Sequence, residues 1–308
     1  MSGSEPAIEI FKPFGEAFEL TKEILFRPFD LKKWFVIGFA AFLSGHFSAC
    51  GFNFNFPARH PNRTFSSAAL EQWKPMLPIL IVAFVVVFLI LVVVLTWLKA
   101  RGIFIFTDCI ARNRASIVEP WRGYRQEGNS YFLFLLLVMF GSMAILGLLL
   151  VPIFLQIFAH GATNHSAIAV IAVFGVLLVF AWICLIFFFG VTGYFMVPLM
   201  YVRRCRSPEA FRKVLALVLE NPAPFILFCL FGCCLLLAML MIGGIATCFT
   251  CCLAALPYIG TVILLPVFVF LRAFGLRFIR QFGPDYDVWA SSVEPPPVPP
   301  STPPPLPG

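Results

Sequence analysis

The sequence predicts an all-α fold, a polytopic membrane helical bundle, and three observations carry that prediction. Of 308 residues, 60 % are hydrophobic and only 12 % charged, whereas a soluble domain carries about a quarter charged residues. Long stretches without a charged side chain recur, each near the roughly twenty residues that cross a bilayer core of about 30 Å. The Lys and Arg between these stretches fall almost entirely in alternate gaps. One soluble core of this length could not absorb 38 Phe, but lipid accepts them. The non-apolar stretches are too short for an appended soluble catalytic module.

Six segments qualify as spans: 34–51, 76–98, 131–158, 166–200, 224–247 and 251–271. Residues 1–33 are of mixed charge and form a cytoplasmic amphipathic segment. They lack the short apolar core and cleavage site of a signal peptide, so Trp34 onward reads as an uncleaved anchor. The first span is the least apolar, because its outer half carries Ser44, His46 and Ser48. Ala41, Gly45 and Ala49 give it a small-residue face for close helix packing. The fourth is long for one crossing, yet a turn at Gly190 to Gly193 would leave too short a remainder. It reads as one bent span that continues along the cytoplasmic interface. The transmembrane domain thus covers 34–282, and 283–308 form a cytoplasmic Pro-rich tail. That tail holds nine Pro between Glu294 and Gly308 and should be an extended, unpacked tether.

Orientation follows from the basic residues. Placing the rich gaps in the cytoplasm puts nineteen of the 22 Lys and Arg inside, as the positive-inside rule requires. Both termini are then cytoplasmic. Trp34 and Trp97 sit at inner boundaries and Trp73 at an outer one, where indoles prefer to lie. The net charge of +7 reads as a collar for anionic lipid head groups, each basic residue worth about 1 kcal/mol near such a surface. No nucleic-acid-binding fold accompanies it. The collar candidates are Arg112, Arg114, Arg203, Arg204 and Arg272.

Amphipathic stretches precede the odd spans. Phe11, Phe14, Phe18 and Leu25 share one helical face opposite Glu16, Glu19 and Glu23. Before the fifth span, Ser207, Pro208 and Glu209 read as N-cap, first-turn Pro and first-turn acid. A poorer copy lies around Ser116 to Glu127. The unit, an interfacial helix followed by two spans, would occur three times; interfacial stretches that arise independently are the plainer alternative.

The C-terminal stretch is the most distinctive: Leu256-Pro257-Tyr258-Ile259-Gly260-Thr261, then Leu265-Pro266, Phe270-Leu271-Arg272 and Gln281-Phe282-Gly283-Pro284. With it, the chain from about Phe11 to Tyr286 resembles a group of uncharacterised bacterial multi-pass membrane proteins. These are similar to the membrane domain that accompanies some glycerophosphodiester phosphodiesterases. The resemblance implies a bacterial inner membrane and carries over no functional residues. The acidic and His clusters of the phosphodiesterase domain are absent from this sequence.

Candidate sites are few. The cluster Cys229, Cys233, Cys234, Cys248, Cys251 and Cys252 resembles a ligand spacing, but nothing nearby favours thiolates, so packing is the preferred reading. The four His fall near the outer side in no ligand pattern. Asp108 pairs with Arg112 one turn on as a surface ion pair. No Asp, Glu, Lys or Arg lies at mid-depth in a span, where such groups usually mark ion pathways. Helix breaks at Gly190, Gly193, Pro198, Pro257, Gly260 and Pro266 could line a cavity. No catalytic constellation, cofactor site or metal site is identified. The sequence therefore favours a non-enzymatic membrane scaffold or accessory protein, with lipids, other membrane proteins or a second copy as partners. The alternative is a permease or lipid-handling transporter built on broken helices four and six.

Overall fold

The computed structural model describes residues 9–45, 76–160, 165–250 and 256–290. All regular structure among them is helical. Helix α1 (Phe11–Phe26) and α2 (Leu31–Leu43) lead into the long α3 (Leu77–Ala111). A short α4 (Val118–Gly123) precedes α5 (Arg125–His160) and α6 (His165–Val191). A π-helical turn (Thr192–Met196) joins α6 to α7 (Val197–Arg203), followed by α8 (Ser207–Glu220) and α9 (Pro222–Phe249). The last elements among the described residues are α10 (Pro257–Ile263), α11 (Leu265–Ile279) and two 3-10 turns, Arg280–Phe282 and Pro284–Tyr286.

Four helical stretches among the described residues are long and apolar enough to cross a membrane: Leu77–Ala111, Arg125–Phe158, Ile168–Arg203 and Pro222–Ala246. The chain is a membrane protein by that measure, with four such helices where the sequence predicts six spans. The first expected span is represented by α2, 13 residues long, or about 20 Å, and 46–51 lie outside the described residues. The last also starts outside them and is divided at Leu264 into α10 and α11. By contrast, the long fourth run is one helical stretch through the π turn. The Pro-rich tail from residue 291, like the segment 46–75, is outside the described residues.

Three of the long helical stretches, α3, α5 and the α6–α7 run, are buried at one end only, whereas α9 buries Phe225, Phe228 and Met239 along its length. In α3, Leu77 to Leu95 are largely exposed, whereas Ala100 to Ile110 are buried. In the α6–α7 run, Ile183 and Ile186 are exposed, whereas Val191, Thr192 and Phe195 to Tyr201 are buried and Gly193 and Tyr194 half-buried. α5 buries Tyr131 and Leu135 but leaves Leu148 73 % exposed. At 35 residues, α3 is about 52 Å long, well beyond a bilayer core. Its apolar arm suits lipid, and its other end belongs to a protein core.

That core is aromatic. Phe195 of the π turn meets Phe225 and Phe228 of α9 at 5.0 Å. Phe228 stacks on Phe274 of α11 at 5.1 Å and meets Phe278 at 4.6 Å. Such pairs add about 0.5–1.5 kcal/mol each beyond the area they bury. Because Phe225 and Phe228 meet Phe278 while a Cβ on Gly243 would meet Leu264, α9 and α11 run antiparallel. Glycines set the closest approaches. A Cβ on Gly102 would overlap the Leu43 backbone where α2 crosses α3, and one on Gly275 would stand 2.7 Å from Tyr194.

Two local expectations need correction. Helix α1 buries Ala17, Leu20, Ile24 and Leu25 and packs Phe14 against the core, but leaves Phe11 82 % and Phe18 51 % exposed, so only half of the expected face turns to the core. Ser207 is the first helical residue of α8 and not its N-cap. Its N–H donates to Ser130 Oγ at 3.0 Å and its hydroxyl to Met200 Sδ at 3.7 Å, so buried neighbours and not the helix end take its polar groups.

Candidate functional site

The charged groups gather where the apolar arms end. Asp108 on α3 is wholly buried, which overturns the surface pair with Arg112. Hydropathy treats 99–111 as a polar gap, but α3 continues unbroken through it and α2, α5, α7 and α11 pack around it. Oδ1 of Asp108 accepts from the Tyr201 hydroxyl at 2.8 Å and lies 3.3 Å from Arg112 Nε. Its Oδ2 lies 3.0 Å from an Arg114 Nη and 3.1 Å from Arg114 Nε. A buried carboxylate is tolerable when charges and hydrogen bonds surround it in this way. Arg114 also reaches Glu119 at 2.6 Å.

An aromatic stack connects this centre to α7. Tyr124 stacks on Tyr201 at 4.7 Å, and the Arg204 guanidinium stands 3.7 Å from the Tyr124 ring centre. Arg204 donates to Gly123 O at 2.6 Å and approaches Glu127 at 3.4 Å. Arg101, 7 % exposed, donates to Asn129 at 2.8 Å and lies over the rings of Trp97 and Trp121. On the flank formed by α1 and α11, Arg277 meets Glu16 at 3.4 Å. Burial pulls the Arg277 guanidinium below its usual pKa, and Glu16 opposes that shift.

Arg272 on α11 is different. It is 5 % exposed, and its Nε and Nη2 meet the Thr107 hydroxyl at 3.2 and 2.8 Å. Its Nη1 donates to Gly193 O at 2.7 Å. Gly193 lies within the π turn, a geometry that shifts the backbone ladder and is frequent at functional sites. The carbonyl is thereby available to an outside donor.

The five expected collar arginines therefore occupy unlike places. Arg112 and Arg114 share Asp108, Arg203 pairs with Asp285, and Arg204 pairs with Glu127. Arg272 lies inside the core on neutral acceptors. The helix-break residues are equally dispersed. Gly190 lines an apolar cleft of about 350 Å³ between α6, α9 and α11. Gly193 lines a pocket of about 180 Å³ beside Arg272, and Pro266 a cleft of about 540 Å³ against α1. Pro198 and Gly260 are buried, and the Pro257 side chain is outside the described residues.

Of the cysteines, Cys109 and Cys205 are buried and Cys229 is half-buried, while Cys184, Cys233, Cys234 and Cys248 are exposed. Cys50, Cys251, Cys252, His46 and His60 lie outside the described residues, as do the side chains of His160 and His165. Sequence reasoning missed the buried roles of Asp108, Arg101 and Tyr201. The apolar residues flanking Asp108, Gly102 to Phe106 and Cys109 to Ile110, were the signal available.

A family model matches residues 9–286, and the chain belongs to that family, DUF7544, a family of unknown function. No curated protein and no solved structure matches the chain. The family match carries no link to the phosphodiesterase-associated membrane domain.

Proposed function

We propose that this member of a family of unknown function is a non-enzymatic membrane scaffold or accessory protein. Its charged inner core fixes the spread of apolar helices that other membrane components contact. The observation that carries this reading is the one-ended burial of α3, α5 and the α6–α7 run. The most apolar windows of α3 and of the α6–α7 run bury none of their residues within the chain, so their surfaces are offered to lipid, to a second copy or to other membrane helices. Tightly paired charges at the inner end suit a rigid base, since each carboxylate of the Asp108 centre already has its partners.

Both termini lie in the cytoplasm in this proposal, supported by the alternation of basic gaps. The segments at 34–51 and 251–271 supply the fifth and sixth crossings, and the helices α1, α4 and α8, each ahead of a proposed crossing, stand as remnants of a threefold repeat. A bacterial inner membrane fits the sequence resemblance. Partners are anionic lipids and membrane proteins. A lipid-handling transporter is the second reading, which the 350 Å³ apolar cleft at Gly190 favours.

Reconstitution into vesicles with a fluorescent phospholipid separates the two. The scaffold reading expects lipid exchange between leaflets at the rate of empty vesicles, and rapid exchange would overturn it. Orientation is read by the labelling that Arg206→Cys adds over the natural chain in intact cells with a membrane-impermeant thiol reagent; Arg206 is exposed between α7 and α8. Labelling only after permeabilisation is expected, and labelling from outside would invert the topology.

A further inference from the structure

Arg272 has its hydrogen bonds but not its counter-charge. Thr107 Oγ and Gly193 O are neutral, so the guanidinium remains a net positive charge in the core. Burial of a charge is ordinarily offset by an opposite one; the other four collar arginines, each far more exposed than Arg272, are nonetheless paired with Asp108, Asp285 or Glu127. No carboxylate among the described residues forms an ion pair with Arg272 or Lys99.

These two cations line the same cavity. It has a volume of about 180 Å³ and is bounded by Lys99, Arg272, Ser44, Gly45, Gly193 and Tyr194, with apolar residues completing the wall. That is many times the ~10–15 Å³ one water needs. Every charged side chain lining the cavity is positive. Lys99 is guided by Gly45: its Cγ, Cδ and Cε stand 2.9–3.1 Å from where a Cβ on residue 45 would be, and Gly45 has φ +99°. A side chain there would be strained and would also displace the lysine. Arg272 is fixed from the other side by the π turn. The result is a pre-oriented pair of cations at the junction between the apolar arm of α3 and the core.

We propose that this cavity binds a phosphate-class oxyanion, with Lys99 and Arg272 as its counter-charges. Guanidinium and ammonium groups are the usual partners of phosphate oxygens. The same chemistry is offered by a phospholipid head group and by free phosphate. Geometry favours the head group, because Tyr194 lines both this cavity and the 350 Å³ apolar cleft of Phe228, Leu236 and Leu271. A phosphate beside Arg272 would have an apolar cleft for part of an acyl chain on the other side of Tyr194. The proposal rests on the membrane placement of the chain and not on the scaffold reading. Rapid lipid exchange in vesicles would overturn the scaffold and leave this site standing, and failed anion binding would do the reverse.

The test uses the full chain in neutral detergent, in two arms. In one, native mass spectrometry compares retention of phosphatidylglycerol with that of diacylglycerol, which lacks the phosphate. In the other, thermal unfolding is followed against inorganic phosphate, with chloride at matched ionic strength. Retention of phosphatidylglycerol alone identifies the lipid, a phosphate-dependent shift alone identifies the free anion, and both together show that the cavity takes either. Lys99→Gln should weaken whichever binding is seen by about tenfold, as for a hydrogen bond to a charged group, and Lys32→Gln should leave it unchanged. Lys99 is exposed by area, so its replacement tests the site without the folding risk of Arg272→Gln; Arg272→Lys, which keeps the charge, should retain part of the affinity. The proposal is overturned if neither arm shows binding above its control, or if Lys99→Gln binds as tightly as the natural chain.

Discussion

The two ends of α3 obey different rules. From Leu77 to Leu98 the helix has no charged residue and little burial against the rest of the chain, whereas from Ala100 to Ile110 every residue is buried and two are charged. Lipid is the solvent for the first part, so its side chains need only be apolar, and its backbone satisfies itself within the helix. Protein is the solvent for the second, so shape and partner both matter. Stability should therefore be concentrated at the inner end, and sequence tolerance in the arms.

The largest effect that would test this contrast is at Asp108. Asp108→Ala leaves Arg112, Arg114 and Tyr201 without their shared acceptor, and loss of one partner from a buried charge network costs about 3–5 kcal/mol. Unfolding of the detergent-solubilised protein would show it, and a loss under about 1 kcal/mol would mean the cluster is solvated. In the arm, Val86→Arg should cost about 2.5–3.5 kcal/mol on an insertion scale, read by a membrane-integration assay, while Val86→Leu should be silent. Gly102→Ala drives a methyl into the Leu43 backbone and should cost about 1–3 kcal/mol, seen as a lower unfolding midpoint. Retained stability there would mean that α2 is free to move off α3.

The smallest effect is one of pH. Lys22 holds the Glu19 carboxyl below its ordinary pKa, and Lys213 does the same for Glu209, in each case through a direct hydrogen bond. A depressed carboxyl pKa contributes stability above the unfolded value of about 4.3. That contribution is lost as pH falls through the folded pKa. Both carboxylates are exposed, so acid titration of Glu209→Gln should differ little from that of the natural chain.

Hydropathy shows where α3, α5, α6 and α9 lie, because twenty apolar residues in a row have few alternatives. It does not show that α3 runs on to Ala111. Lys99, Arg101 and Asp108 look like a polar gap when averaged, although no Pro interrupts the stretch and Ile103, Phe104, Ile105 and Phe106 follow in series. Counting basic residues by side likewise assigns Arg272 to the interface. The rule reports on insertion and says nothing about whether a guanidinium later turns inward to a hydroxyl on another helix. Thr107 and Arg272 are 165 positions apart, and no local pattern encodes their contact. The helix breaks were legible as Gly and Pro, but the use of Gly193 as an acceptor for Arg272, 79 positions away, was not.

The central claim is that the inner ends form the folding core and the arms depend on the membrane. A matched pair of truncations tests it most directly: Phe278→Ala in the core, where the ring is fully buried, against Phe154→Ala in the arm of α5, where it is 63 % exposed. Both remove the same atoms, and both are measured by equilibrium unfolding in one lipid–detergent mixture. The account predicts a loss of about 3–5 kcal/mol for Phe278→Ala and little change for Phe154→Ala. Equal losses at the two positions would contradict it.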